Sequence, residues 1–232
     1  MRAALCAPLV ALLTVGFGVV SVLAALAGRR GHVQSRLART WAKSVLTVCG
    51  VKVRVSGGEN VPAGPAVYAA NHGSALDIPV VLGYLPADFR VIHKRSLYLV
   101  PVVGLHLYLA GHVGIDRGNP FRARRSLERA AERIRGGTSV VVFPEGTRSR
   151  DEAVRGFKRG SFVLASKAEV PVVPLSLVGV KRVVPGGLIG LRPGTVELRV
   201  HPALSTSGRP AKDAAALAAE VRQIVARGCG QA

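Results

Sequence analysis

The sequence predicts an α/β fold, a mixed sheet layered by helices. Three observations carry that prediction. Short apolar, β-branched runs at 66–70, 139–143 and 170–178 alternate with longer stretches whose apolar residues recur at helical spacing. Polar side chains able to do chemistry follow directly on two of those runs, where the ligand loops of α/β sheets lie. A long uncharged stretch near the N-terminus stands apart from this pattern.

Between Arg2 and Arg29 there is no charged residue, and 3–27 is almost wholly apolar. About 20 such residues suffice to cross a bilayer core, so this stretch reads as membrane-embedded. A secretory signal is the alternative, because Ala25-Leu26-Ala27 resembles a cleavage site. Against it, the stretch exceeds the usual ~7 to 15-residue signal core and Arg29 and Arg30 follow directly. Arg29, Arg30, Arg36, Arg39 and Lys43 all follow the segment, which by the positive-inside rule puts the rest of the chain in the cytoplasm. Residues 33–49, with Leu37, Trp41, Val45 and Val48 at helical spacing, read as a second, amphipathic helix. Gly16 and Gly18 mark a candidate break in the first. A single span and a helix pair seated in one leaflet both remain open. We divide the chain into this appendage, 1–49, and one domain, 50–232.

Residues 51–55 alternate as a half-buried strand does, and Gly57-Gly58 closes it. The run 66–70 reads as a buried strand, followed by Asn71-His72-Gly73-Ser74-Ala75-Leu76-Asp77 and a helix to about Leu85. Five residues advance about 500° around a helix, leaving His72 and Asp77 roughly 140° apart, so only a bend between strand and helix brings them together. With that bend Asp77 holds one imidazole nitrogen while the other takes a proton. The competing reading is a loose capping box over Ser74 to Asp77. Further on, Asn119-Pro120 reads as an N-cap with proline at the first helical position, and Gly136-Gly137 as the stop. Leu127, Ala131 and Ile134 line that helix's apolar face. The run 139–143 ends at Pro144, so Glu145-Gly146-Thr147-Arg148 leaves the C-terminal end of a central strand. Strands at 170–178 and 195–201, a surface loop over 185–194 and a closing helix over 211–226 complete the domain.

Lys and Arg number 32 against 13 Asp and Glu, a formal charge of +19 that favours anionic partners. Aromatic residues make up only 5% of the chain, and it lacks zinc-finger spacing, an RNP pattern and a basic heptad region. Anionic membrane lipids are therefore expected as partners, and nucleic acid is not. Cys6, Cys49 and Cys229 are scattered and odd in number, which fits a reducing compartment rather than a disulfide framework. His93, His106 and His112 show no metal-ligand spacing, so no metal is expected.

Three further segments follow the His72 turn in order: Gly111-His112-Val113-Gly114-Ile115-Asp116-Arg117, then Val142-Phe143-Pro144-Glu145-Gly146-Thr147-Arg148-Ser149, then Val170-Pro171-Val172-Val173-Pro174-Leu175. Together the four resemble the sequence blocks of the glycerolipid acyltransferases typified by 1-acylglycerol-3-phosphate acyltransferase, over roughly residues 50–200. The resemblance implies the glycerolipid acyltransferase fold with an N-terminal membrane-embedded helix or helix pair. It also implies transfer of a fatty acyl group from acyl-CoA or acyl carrier protein to the free hydroxyl of lysophosphatidic acid, with no cofactor. The expected site is the inner face of the cell membrane. His72 is then the base and Asp77 its orienting carboxylate. Arg117 and Arg148 fall where the family binds the acceptor phosphate, Lys94 where related enzymes carry another basic contact, and Glu145, Gly146 and Thr147 complete the third block. Many members carry an acidic residue two positions after the lysine, where this chain has Ser96, and that leaves another lysolipid or an amino-acid-derived lipid open as acceptor. A catalytically silent, basic membrane-binding protein is the alternative of another class. The apolar stretch 97–110 is a candidate wall for an acyl-chain groove.

Overall fold

The computed structural model describes residues 2–28, 31–116, 118–149, 153–185 and 190–231. A seven-stranded sheet runs in the order β1-β7-β6-β2-β5-β3-β4. Its strands are β1 (Val51–Ser56), β2 (Val67–Ala70), β3 (Phe89–Lys94), β4 (Val113–Ile115), β5 (Ser139–Val142), β6 (Val172–Val178) and β7 (Gly194–Val200). All neighbours pair in parallel except β6 and β7, which makes the sheet mixed as the sequence predicts.

Period-two alternation distributes the strand side chains over two cores. Tyr68, Val141, Val173 and Leu175 face one side and pack with α2 (His32–Val48) and α3 (Asp77–Tyr84). Val67, Ala69, Val140, Val142 and Val172 face the other and pack with α5 (Pro120–Arg135), α6 (Gly160–Ala168) and α8 (Ala214–Gly228). Both faces of the central parallel strands are covered, which is why their sequences are continuously apolar. The crossover from β2 through α3 leads past β5 to β3, whereas the crossover from β5 through α6 leads to β6 on the opposite side of β2. The chain thus switches direction around β2 and β5, and a crevice opens beyond their C-terminal ends.

Among the described residues, five elements were not expected. The strands β3 and β4 escape notice because Arg90 and His93 interrupt the first and the second has three residues. The helix α4 (Val103–Leu109) lies within the apolar stretch 97–110, and α6 carries no amphipathic stripe. The 185–194 loop is preceded by a single turn of helix, α7 (Val180–Val183), and its residues 186–189 lie outside the described part.

The N-terminal helix α1 (Arg2–Leu26) runs without a break through Gly16 and Gly18, correcting that expectation. Gly18 instead lets the helix approach α4, since a Cβ there would collide with the Val102 side chain. The helix is fastened along its length. The Cys6 thiol bonds the Val48 carbonyl, the Trp41 indole N–H donates to the Thr14 hydroxyl at 3.1 Å, and Ser21 meets His106 Nδ1 at 2.8 Å. The second helix α2 belongs to the main core, where Ala42 and Leu46 are wholly buried.

Leu46→Ala is therefore expected to lower the unfolding free energy by about 2 to 5 kcal/mol, the range for a buried leucine whose cavity cannot collapse. Denaturant titration of the full chain measures this, and a loss under about 1 kcal/mol would mean that α2 merely rests on the domain.

Candidate active site

At the C-terminal end of β2 the chain bends sharply into α3, and the bend is organised by one carboxylate oxygen. Asp77 Oδ2 accepts from His72 Nδ1 at 2.8 Å and from the main-chain N–H groups of Gly73 and Ser74, each at 2.8 Å. An ionised carboxylate only accepts, so Nδ1 carries the hydrogen and Nε2 keeps its lone pair. The Asp77 side chain is 1% exposed and that of His72 18%, so the acid is sequestered while the imidazole reaches the crevice. The two readings of the segment are compatible: Asp77 Oδ2 makes the capping-box bond to the Ser74 N–H and holds the imidazole as well. Ser74 Oγ accepts from the Leu76 N–H at 3.2 Å, and Asp77 begins the helix with its carboxylate turned back along the loop.

Neighbouring strands brace this bend. The Asn71 side chain accepts from the Leu177 N–H at 2.8 Å and donates to the Leu177 carbonyl at 3.1 Å, tying the end of β2 to β6. On the other flank, Glu145 Oε1 accepts the His72 main-chain N–H at 2.8 Å, and the Ser149 N–H donates to the His72 carbonyl at 2.8 Å. The Phe143 ring lies against the imidazole with centroids 4.4 Å apart. Burial pushes the Glu145 carboxyl above its ordinary value, although the His72 and Arg155 main-chain N–H groups pull the other way. Glu145 makes no ion pair with an arginine among the described residues. It positions the backbone of His72.

The result is a cleft of about 190 Å³ beside the imidazole, lined by Asn71, His72, Asp77 and Glu145 and by Val178 to Arg182. Of the residues that the sequence singles out, His72, Asp77 and Glu145 line it. Gly146, Thr147 and Arg148 share Glu145's loop but do not line it; Thr147 and Arg148 are exposed. Gly146 has φ +79 and lies against Lys158, whose ammonium would sit 2.8 Å from a Cβ placed there. Lys94 ends β3, two strands from β2, and is exposed. Arg117 falls outside the described residues.

Sequence reasoning missed Lys181, Arg182 and Cys229, which also line the cleft. The first two sit just past β6, and the thiol follows α8. Burial pushes Cys229 to about 11, so it stays protonated near neutral pH and is no ready nucleophile. Ser74 is buried and absent from the cleft lining.

A second cavity, about 180 Å³ and almost entirely apolar, opens between α1, α2, α3 and α4. Ile78, immediately after Asp77, lines it with Leu82, Trp41, Leu97 and Leu107. His106 and His112 contribute as well. Burial lowers both, His112 to about 3, so they remain neutral, and His112 Nδ1 accepts the Val91 N–H at 2.8 Å.

With this geometry in view, the chain can be set beside known proteins. The acyltransferase family pattern matches residues 52–178. A 1-acyl-sn-glycerol-3-phosphate acyltransferase of Chlamydomonas reinhardtii is 42% identical over 178 residues, 75% of this chain and 52% of that protein. A chloroplastic 1-acyl-sn-glycerol-3-phosphate acyltransferase of Arabidopsis thaliana is 38% identical over 168 residues, 71% of this chain and 47% of that one. The chain thus spans about half the length of the curated relatives it matches. The crystal structure of the 1-acyl-sn-glycerophosphate acyltransferase PlsC from Thermotoga maritima is 30% identical with a TM-score of 0.82, covering 98% of this chain and 96% of that one.

The Glu145 carboxyl gives a pH-dependent test of the bracing. A raised native value means that its stabilising contribution is complete below the ordinary 4.5 and is lost as pH rises through the native value. Glu145→Gln keeps an oxygen for the His72 N–H but never ionises. Its stability relative to the natural protein is expected to be flat below about pH 4 and to climb from there towards neutrality. Thermal unfolding across that range measures the difference, and a pH-independent gap would show that Glu145 is not desolvated.

Proposed function

We propose that the chain, which belongs to the acyltransferase family typified by 1-acyl-sn-glycerol-3-phosphate acyltransferase, transfers a fatty acyl group from a thioester to lysophosphatidic acid. Phosphatidic acid, the parent of phospholipid biosynthesis, is the product. The observation that carries this reading is the His72–Asp77 pair standing between a polar cleft and an apolar cavity.

As the acceptor hydroxyl attacks the thioester carbonyl it must lose its proton, and His72 Nε2 is the free base to receive it. Asp77 fixes the tautomer and stabilises the imidazolium as it forms, as the carboxylate does in a serine-protease triad. The substrate hydroxyl takes the place of a serine, so no covalent acyl-protein is needed; the protonated state of Cys229 agrees with this. The proton then passes from the imidazolium to the departing thiolate, whether of coenzyme A or of acyl carrier protein. The cavity walled by Ile78, Leu82 and Leu107 suits the acyl chain, and the polar cleft suits the glycerol phosphate. Arg148, on the loop that Ser149 fastens to His72, and Lys94 are further candidates for the phosphate, with Arg117.

The same reading extends to the membrane. Cys6–Leu26 is apolar and long enough to cross a bilayer, yet α1 is bonded to the domain from Cys6 to Ser21, about 22 Å of helix axis. An upright helix would draw the flank of the domain into the ~30 Å hydrocarbon layer. We therefore favour α1 lying in one leaflet, its exposed Leu12, Leu23 and Leu26 in lipid, at the cytoplasmic face of the cell membrane. Anionic lipids suit the +19 charge.

Acylation of a panel of lysolipids with one acyl-CoA tests the assignment. Lysophosphatidic acid is expected to be the preferred acceptor, and equal or better use of a phosphate-free acylglycerol would reject it. His72→Ala is expected to reduce turnover by about 10²- to 10⁴-fold with the fold intact, because a positioned base is lost.

A further inference from the structure

The cleft contains two cations outside the segment matched by the family pattern, which ends at residue 178. Lys181 and Arg182 follow β6 on the single helical turn α7 and line the cleft together with Glu145 and Ser149. Resting on the function proposed above, we infer that Lys181 and Arg182 form the phosphate-binding edge of the acceptor site, holding the phosphomonoester while the glycerol hydroxyl faces His72.

Several observations converge on this. The Lys181 stem runs over the residue next to the base, since a Cβ at Gly73 would lie 3.6 Å from its Cγ and 3.8 Å from its Cε. Its ammonium is therefore carried beside the His72 turn rather than away from it. The Arg182 guanidinium lies against Gly179, where a Cβ would come within 3.4 Å of one of its terminal nitrogens; Gly179 itself takes a left-handed φ of +80. Neither side chain makes a hydrogen bond or ion pair among the described residues. Neither acid of the cleft pairs with these cations: Asp77 is held by three donors at the bend, and Glu145 accepts the His72 N–H through Oε1 while its buried Oε2 has no hydrogen-bond partner among the described residues. Two uncompensated cations facing a small polar cleft attract an anion, and a guanidinium offers the paired donors that a phosphate oxygen pair accepts.

At about 190 Å³ the cleft suits a glycerol phosphate headgroup. The separate apolar cavity that Ile78, next to Asp77, lines is left for the donor's acyl chain.

Lys181→Met and Arg182→Gln are the variants of choice, because methionine preserves the stem over Gly73 while removing the charge. Steady-state kinetics with lysophosphatidic acid and acyl-CoA are expected to show a rise of roughly 10- to 100-fold in the acceptor's KM in each variant. That is the equivalent of losing one hydrogen bond to a charged group. The donor's KM is expected to stay within about twofold, and use of a phosphate-free acylglycerol to be unchanged. An unchanged acceptor KM, or a rise confined to the donor's KM, would overturn the inference. If the natural protein does not acylate lysophosphatidic acid, the proposed function fails, and calorimetric titration with sn-glycerol 3-phosphate then decides the inference separately. Binding that both substitutions weaken upholds an organophosphate site; no binding to the natural protein, or binding that neither alters, removes it.

Discussion

The structure of the site depends on the demands of one buried carboxylate. A charge at Asp77 that is 1% exposed is tolerable only if donors surround it, and three do, all at 2.8 Å on the same oxygen. Two of those donors are main-chain groups of the loop and the third is the imidazole. The bend between β2 and α3 and the orientation of His72 are therefore one structure, and satisfying the carboxylate aims the imidazole. Around it the sheet supplies rigidity: Asn71 ties the loop to β6, while Glu145 and Ser149 tie it to the segment after β5.

The parallel part of the sheet explains why such distant segments meet here. The β2 strand has β5 on one side and β6 on the other, and all three end at the same edge. Loops leaving that edge converge on His72 from both flanks. The switch in crossover direction keeps the crevice open, with a polar cleft towards β6 and an apolar cavity under α1 and α4. That division gives the His72 imidazole a polar space and an apolar space close by.

Much of this was legible in the sequence because it is local. His72 and Asp77 are five residues apart, and the apolar run before them and the helix after them fix the bend that joins them. Glu145 was legible as a member of the site but not in its role, because its partner is a backbone N–H and no side-chain pattern encodes that contact. The fold class was readable from the buried central strands, whereas β3 and the three-residue β4 carried too little alternation to register. Lys181, Arg182 and Cys229 were not legible. They are far from His72 in sequence, and only the pairing of β2 with β6 and the packing of α8 bring them to the cleft. In the N-terminal helix, Gly18 read as a break because the sequence alone does not reveal that Val102 packs where its side chain would be.

If Asp77 acts only through His72, the two residues form a unit, and the effects of a unit's members do not add. The most direct measurement is turnover at saturating acceptor for His72→Ala, Asp77→Asn and the double variant. The account predicts that the double variant is no slower than His72→Ala alone, since a carboxylate without its imidazole has nothing to orient. Losses that multiply in the double variant would mean that Asp77 contributes to the reaction independently of His72 and would contradict the proton-transfer unit described above.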